Sequence, residues 1–98
     1  MKPVQNKAVP MPTTPAEYIQ YELECNFRVG ERVRICRSSP NYEGGWNNSW
    51  NSQMNSYVGR THAIKSVGHA NGSGIGIGGF RFPYFILERI IGEEDTNV

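Results

Sequence analysis

The segment from Asn41 to Tyr57 concentrates Tyr42, Trp46, Trp50, Met54 and Tyr57 among asparagine and serine. Such rings suit recognition, because an aromatic face can carry a base, a proline or a partner's side chain. Trp46, Trp50 and Met54 are spaced four apart, so a helical run would stack them on one face. That face either plugs one end of a small core or grips a ligand, and the sequence leaves both open. A second aromatic group, Phe80, Phe82, Tyr84 and Phe85, surrounds Pro83. Its twofold spacing assigns Phe80 and Phe82 to a core, while the Tyr84 hydroxyl favours a wet edge. The expected surface for a protein or peptide segment therefore comprises Tyr42, Trp46, Trp50, Tyr57 and Tyr84, with Arg34 and Arg81 as flanking charge.

Charge supplies an alternative ligand. From Phe27 to Ile91 eight basic residues face three acidic ones, a surplus of five, whereas the two ends together carry a deficit of four. Arg32, Arg34, Arg60, Lys65 and Arg81 fall where outward strand positions would align them in a basic stripe. With exposed rings between them, that stripe suits single-stranded nucleic acid or a nucleotide. Gly74, Gly76 and Gly78 alternate with isoleucine and leave one strand face bare, so another group can approach the backbone closely, and phosphates could enter at Gly76 and Gly78. The more ordinary role of alternate arginines is to solvate a strand and discourage edge aggregation.

Residues for catalysis are not assembled. The single aspartate, Asp95, lies near the end of the chain, and Glu31, Glu43 and Glu88 are scattered. General acid and base work needs paired, positioned groups, so the expected protein is not an enzyme. Cys25, Cys36, His62 and His69 lack the close pairing of structural zinc ligands, and two cysteines are too few for a disulfide scaffold. No metal and no cofactor are expected, and reduced thiols point to the cytoplasm. The opening MKPVQNKAVPMP has no apolar core of a signal peptide, and no run is long enough for a membrane span, so no membrane partner is expected.

The elements that would position these groups follow from periodicity. Residues 1–13, with Pro3, Pro10 and Pro12, read as a flexible leader, and 92–98 as an acidic tail. Thr14-Pro15-Ala16-Glu17 supplies a cap hydroxyl, a proline for the first helical position and a glutamate able to reach back, predicting a short helix within 14–26. Its apolar stripe is Ile19 and Leu23, with Tyr18 beside them. Val33 and Ile35 alternate with Arg32 and Arg34, the signature of a half-buried strand. Further strands are expected at 60–67, 74–79, 80–82 and 86–91, the glycine-rich stretch 68–74 forming a hairpin turn. Five short strands favour a small barrel that closes its own edges.

The runs FRVGERVRI, YVGRTHAIKSV and GIGIGGFRFPYFILERI, with the tryptophan-containing loop between the first two, resemble the SH3-like barrel. The combination GWNNSW, YVGRT and FPYFILE is similar to small SH3-like domains of bacteriophage proteins of unassigned role, except that His62 stands where such domains usually place glycine. The resemblance implies a mainly β chain, with a five-stranded barrel over 27–91 after the short helix. It carries no activity, since barrels of this type host protein, peptide and nucleic-acid binders alike. The expected protein- or peptide-binding module is read from its rings, and only the phage likeness extends it to a phage-encoded modulator of a host factor in the host cytoplasm. Nucleic-acid binding and the sequestering of a nucleotide signal, in the latter case between subunits of a homo-oligomer, are the alternatives.

Overall fold

The computed structural model describes residues 11–90. Residues 1–10 of the expected leader and the acidic tail at 92–98 lie outside the described residues. Helix α1 spans Pro15–Cys25, with proline in its first turn and Thr14 as its N-cap. Thr14 Oγ1 accepts from the Glu17 N–H at 3.1 Å. The glutamate reaches one residue further back than a capping box requires: its Oε1 accepts from the N–H and hydroxyl of Thr13, each at 2.9 Å. At the other end Asn26 takes the left-handed conformation, φ 56°, and its N–H donates to the Leu23 carbonyl. Asparagine tolerates that conformation better than most residues, so the helix stops there.

The helix presents an unexpected face. Tyr18 and Glu22 are buried, Ile19 is half-buried and Leu23 is 64% exposed. Tyr18 sets the orientation. Its ring lies 5.1 Å from that of Tyr84, its hydroxyl accepts from the Tyr84 N–H at 3.3 Å, and its desolvated phenol is pushed well above the ordinary tyrosine range. The C-terminal end is fixed by Arg89, which donates to the Cys25 carbonyl and the Glu31 carboxylate while lying 4.3 Å over the Phe27 ring. A guanidinium at a helix C-terminus satisfies orphan carbonyls and complements the dipole.

Strand β1, Arg32–Ile35, alternates exposed and buried side chains as its sequence requires, with Val33 and Ile35 fully buried. It pairs antiparallel with β2, Thr61–Ala63, on one side and with β5, Leu87–Arg89, on the other. Strands β3, Ile75–Ile77, and β4, Phe80–Phe82, form a separate antiparallel hairpin. One isolated bridge, Ser66 to Gly76, links the two sheets. Single turns of 3-10 helix occupy Glu43–Gly45 and Tyr84–Ile86, and a longer one Ser52–Tyr57. The core between these layers is built by Tyr18, Val33, Ile35, Trp46, Met54, Ile64, Ile75, Ile77, Phe82, Tyr84, Ile86 and Leu87.

The expected mainly β, closed five-stranded SH3-like barrel is not what the chain forms. Among the described residues helical ones, about 29%, outnumber strand ones, about 21%, and the strands sit in two sheets with no closed barrel, so the fold is mixed α/β. The reason is local. The expected strand at 60–67 is hydrogen-bonded as a strand only over 61–63, and thereafter a single bridge carries the chain past Gly76. Pro83 begins a 3-10 turn instead of continuing β4, because it has no N–H for a ladder. Strands of three or four residues leave too few ladder positions to close a ring. The helical stack of Trp46, Trp50 and Met54 is also absent: Trp46 ends one 3-10 turn, and the next begins only at Ser52.

Candidate functional site

Beside β2 lies an open groove of about 420 Å3, lined by Ser56, Tyr57, Arg60, His62, Ala63, Lys65, Ile77 and Gly78. Three pieces of chain meet there. Asn51 caps the 3-10 helix by accepting from the Gln53 N–H at 2.7 Å, and the helix delivers Tyr57 at its last position. The Gly59 N–H then donates to the Ile35 carbonyl, returning the chain to β1 and placing Arg60 at the groove's edge. From the opposite side comes the β3–β4 turn. Gly78 has φ +64°, and a Cβ there would stand 2.5 Å from the Tyr57 hydroxyl, so only glycine allows both the turn and the closeness of that phenol.

The Tyr57 ring is held from three directions, with centroids 4.9 Å from His62, 5.7 Å from Phe80 and 5.5 Å from Phe82. His62 Nε2 also lies 3.3 Å from the Tyr57 carbonyl, which pins the imidazole against the phenol. The wall of the groove is therefore a rigid aromatic pair. Arg60 and Lys65 are exposed and have no ion pair or side-chain hydrogen bond among the described residues. Among the described residues no carboxylate lines the groove. Two cations beside an aromatic wall give the groove a local positive potential.

The residues expected to form one aromatic surface are dispersed. Trp46 is fully buried and Tyr84 is 4% exposed, both within the core. Trp50 is half-buried, edge-on to Phe82 at 5.7 Å, and its Nε1 donates to Asn55 Oδ1 at 2.7 Å. Tyr42 is 61% exposed and lies outside the groove. Tyr57 alone among the expected rings lines it. The basic stripe is divided in the same way. Arg34 pairs with Glu88 at 3.1 Å, Arg81 donates to Ser73 Oγ at 2.7 Å, and Arg32 is exposed on β1 away from the groove, leaving Arg60 and Lys65 together. Gly76 is covered, because Ser66 Oγ occupies the space a Cβ would need, whereas Gly78 is exposed.

Two arrangements were not anticipated from the sequence. Ser66 Oγ lies 2.9 Å from His69 Nε2, the contact a nucleophile makes with its base. Desolvation first, and Arg81 second, lower the His69 pKa, which favours the neutral ring. The serine is wedged against Gly76, where its Oγ fills the space a Cβ would take at the sheet junction. The second is Glu22, whose spacing from Tyr18 by one helical turn was the available signal. Among the described residues no three histidine, cysteine, aspartate or glutamate side chains cluster as metal ligands, and no helix is long and apolar enough to cross a membrane. Burial raises the Cys25 thiol to about 11, despite Arg89 nearby, so it is a poor nucleophile.

No protein-family model, no curated protein and no solved structure matches this chain.

Proposed function

We propose that the protein is a non-catalytic binding module whose groove beside β2 takes a nucleotide unit, free or within a single-stranded nucleic acid. The observation that carries this reading is the pairing of Arg60 and Lys65, both without partners among the described residues, on a groove walled by Tyr57 and His62. Phosphate would meet the two cations and the base would lie against the aromatic pair. The volume, about 420 Å3, falls in the ordinary range of small-molecule sites.

Fluorescence anisotropy with a labelled oligothymidylate, alongside calorimetry with mononucleotides, tests the reading. The double variant Arg60→Glu, Lys65→Glu should bind neither, with an unchanged circular dichroism spectrum. Binding only of the oligomer identifies nucleic acid, and binding of both identifies the single unit as sufficient. Wild-type affinity retained by the double variant sinks the proposal.

A second reading has one specific observation in its favour: β2 is an edge strand, and His62 and Ala63 on it line the groove. An extended acidic peptide could add beside β2 with its carboxylates on Arg60 and Lys65. A poly-glutamate peptide competing with the oligonucleotide, and outlasting it at high affinity, would favour this partner.

A further inference from the structure

The buried side of α1 carries a carboxylate with one oxygen left unsatisfied. Glu22 is 7% exposed, and its Oε1 is sealed from solvent without a hydrogen-bond partner. A carboxylate oxygen in that state has lost its hydration and received no donor in exchange, which is why buried carboxylates are ordinarily paired. The obvious donors are committed elsewhere. Arg89 is spent on Glu31 and the Cys25 carbonyl, while the Tyr18 hydroxyl and the Gly68 N–H bond to the carboxylate without satisfying Oε1. No lysine or arginine occurs within α1, which instead carries Glu17 and Glu24 as well. Desolvation raises the carboxyl's pKa against the opposing influence of Tyr18 and the Gly68 N–H, as expected of a charge lacking a counter-ion.

Two cavities adjoin this carboxylate. One of about 210 Å3 is lined by Ile19, Glu22, Leu23, Gly68, His69 and Ala70, and another of about 180 Å3 shares Glu22, Leu23 and Gly68. Leu23, 64% exposed, lines both. A dry cavity of about 150 Å3 is enough to hold benzene. The larger cavity therefore has room for a ring of that size with a short polar arm. An apolar chamber beside a carboxylate with one unsatisfied oxygen and no counter-ion among the described residues fits a ligand that is apolar over most of its surface and cationic at one end.

We propose that the cleft between α1 and the 68–70 stretch binds a small organic ammonium, its apolar body in the cavity beside Ile19 and its nitrogen donating to Glu22. The exposed Leu23 side chain swings aside to open the carboxylate, a rotamer change that costs no core contact. The site is separate from the Arg60–Lys65 groove, shares no lining residue with it and has the opposite charge.

Phenethylammonium added to the full chain is the probe, followed by calorimetry and by the amide shifts of Gly68, His69 and Ala70. Saturable binding that moves those amides is expected. Glu22→Gln should lower the affinity at least tenfold, and ethylbenzene, which keeps the ring and lacks the nitrogen, should bind the wild type at least tenfold more weakly. Ala70→Leu fills the cavity from an exposed position and should block binding even if the Glu22 variant folds poorly. Arg60→Glu, Lys65→Glu should leave phenethylammonium binding unchanged. The proposal is overturned by undiminished affinity in both Glu22→Gln and Ala70→Leu, by equal affinity for the uncharged ligand, by shifts confined to other residues, or by no saturable binding at all.

Discussion

Trp46 Nε1 donates to the Ser73 carbonyl at 2.7 Å inside the core, tying the long aromatic loop to the chain just ahead of β3. The same nitrogen stands 2.8 Å from where a Gly74 Cβ would be, and Gly74 has φ +116°. Glycine there serves both the backbone conformation and the approach of the indole. Trp46→Ala should therefore cost about 3–5 kcal/mol, the usual penalty for truncating a buried aromatic. Trp50→Ala, at a half-buried ring, should cost roughly 1 kcal/mol, near the centre of ordinary substitutions. Urea denaturation compares the two directly, and equal losses would contradict the division between core and surface.

The division itself was not readable from spacing. Trp46 and Trp50 have the same type and similar neighbours in sequence, and what separates them is a carbonyl 27 residues away from Trp46. Local features were legible: the Thr14 cap and the alternation of Val33 and Ile35 each depend on adjacent residues, whereas the left-handed turn at Gly78 falls within what reads as a strand over 74–79. The barrel was not, since closure depends on how many ladder bonds three-residue strands can sustain. Arg60, Lys65, Tyr57 and Gly78 were each recognisable as binding types, yet their convergence depends on the Ser66–Gly76 bridge and the β3–β4 hairpin. The face of α1 was misread because Leu23 outranks Glu22 in hydropathy, while the deciding contact, Tyr18 with Tyr84, is long-range.

The Ser66–Gly76 junction gives a coupling prediction. A Cβ at Gly76 would meet Ser66 Oγ at 2.0 Å but Ser66 Cβ only at 3.3 Å. Gly76→Ala alone should destabilise by roughly 1–3 kcal/mol through overpacking. Ser66→Ala removes the clashing atom, so the double variant should be more stable than the sum of the single losses by roughly 0.5–3 kcal/mol. Strict additivity in a double-mutant cycle would show that the serine simply rotates away.

Glu22 should leave a mark on the pH dependence of stability. Its carboxyl is raised from 4.5 in the folded chain, chiefly by burial. Between 4.5 and that raised value the native state holds more protons than the unfolded chain, so this residue's contribution is full below 4.5 and is lost as pH rises. Glu17 and Glu43 are lowered and titrate beneath that window, while Cys25, at about 11, titrates above it. His69 is lowered from 6.5 and acts in the opposite sense, so the comparison must be with Glu22→Gln and not with the wild type alone. The stability advantage of that variant should grow from pH 4.5 toward neutrality. A constant difference would mean that the carboxylate is hydrated.

The groove beside β2 predicts a specific salt dependence. Arg60 and Lys65 are its two cations, and neither has to break an internal ion pair before meeting phosphate. Each contact with a single strand releases a fraction of a counter-ion, so the slope of log affinity against log salt should be about −1.4 for two contacts, and about −0.7 after Arg60→Ala. Arg34→Ala, which removes a residue already paired with Glu88, should leave the slope unchanged. Oligonucleotide titrations at several salt concentrations separate these cases. A slope that responds to Arg34 and not to Arg60 would move the phosphate path from the groove to the outer face of β1.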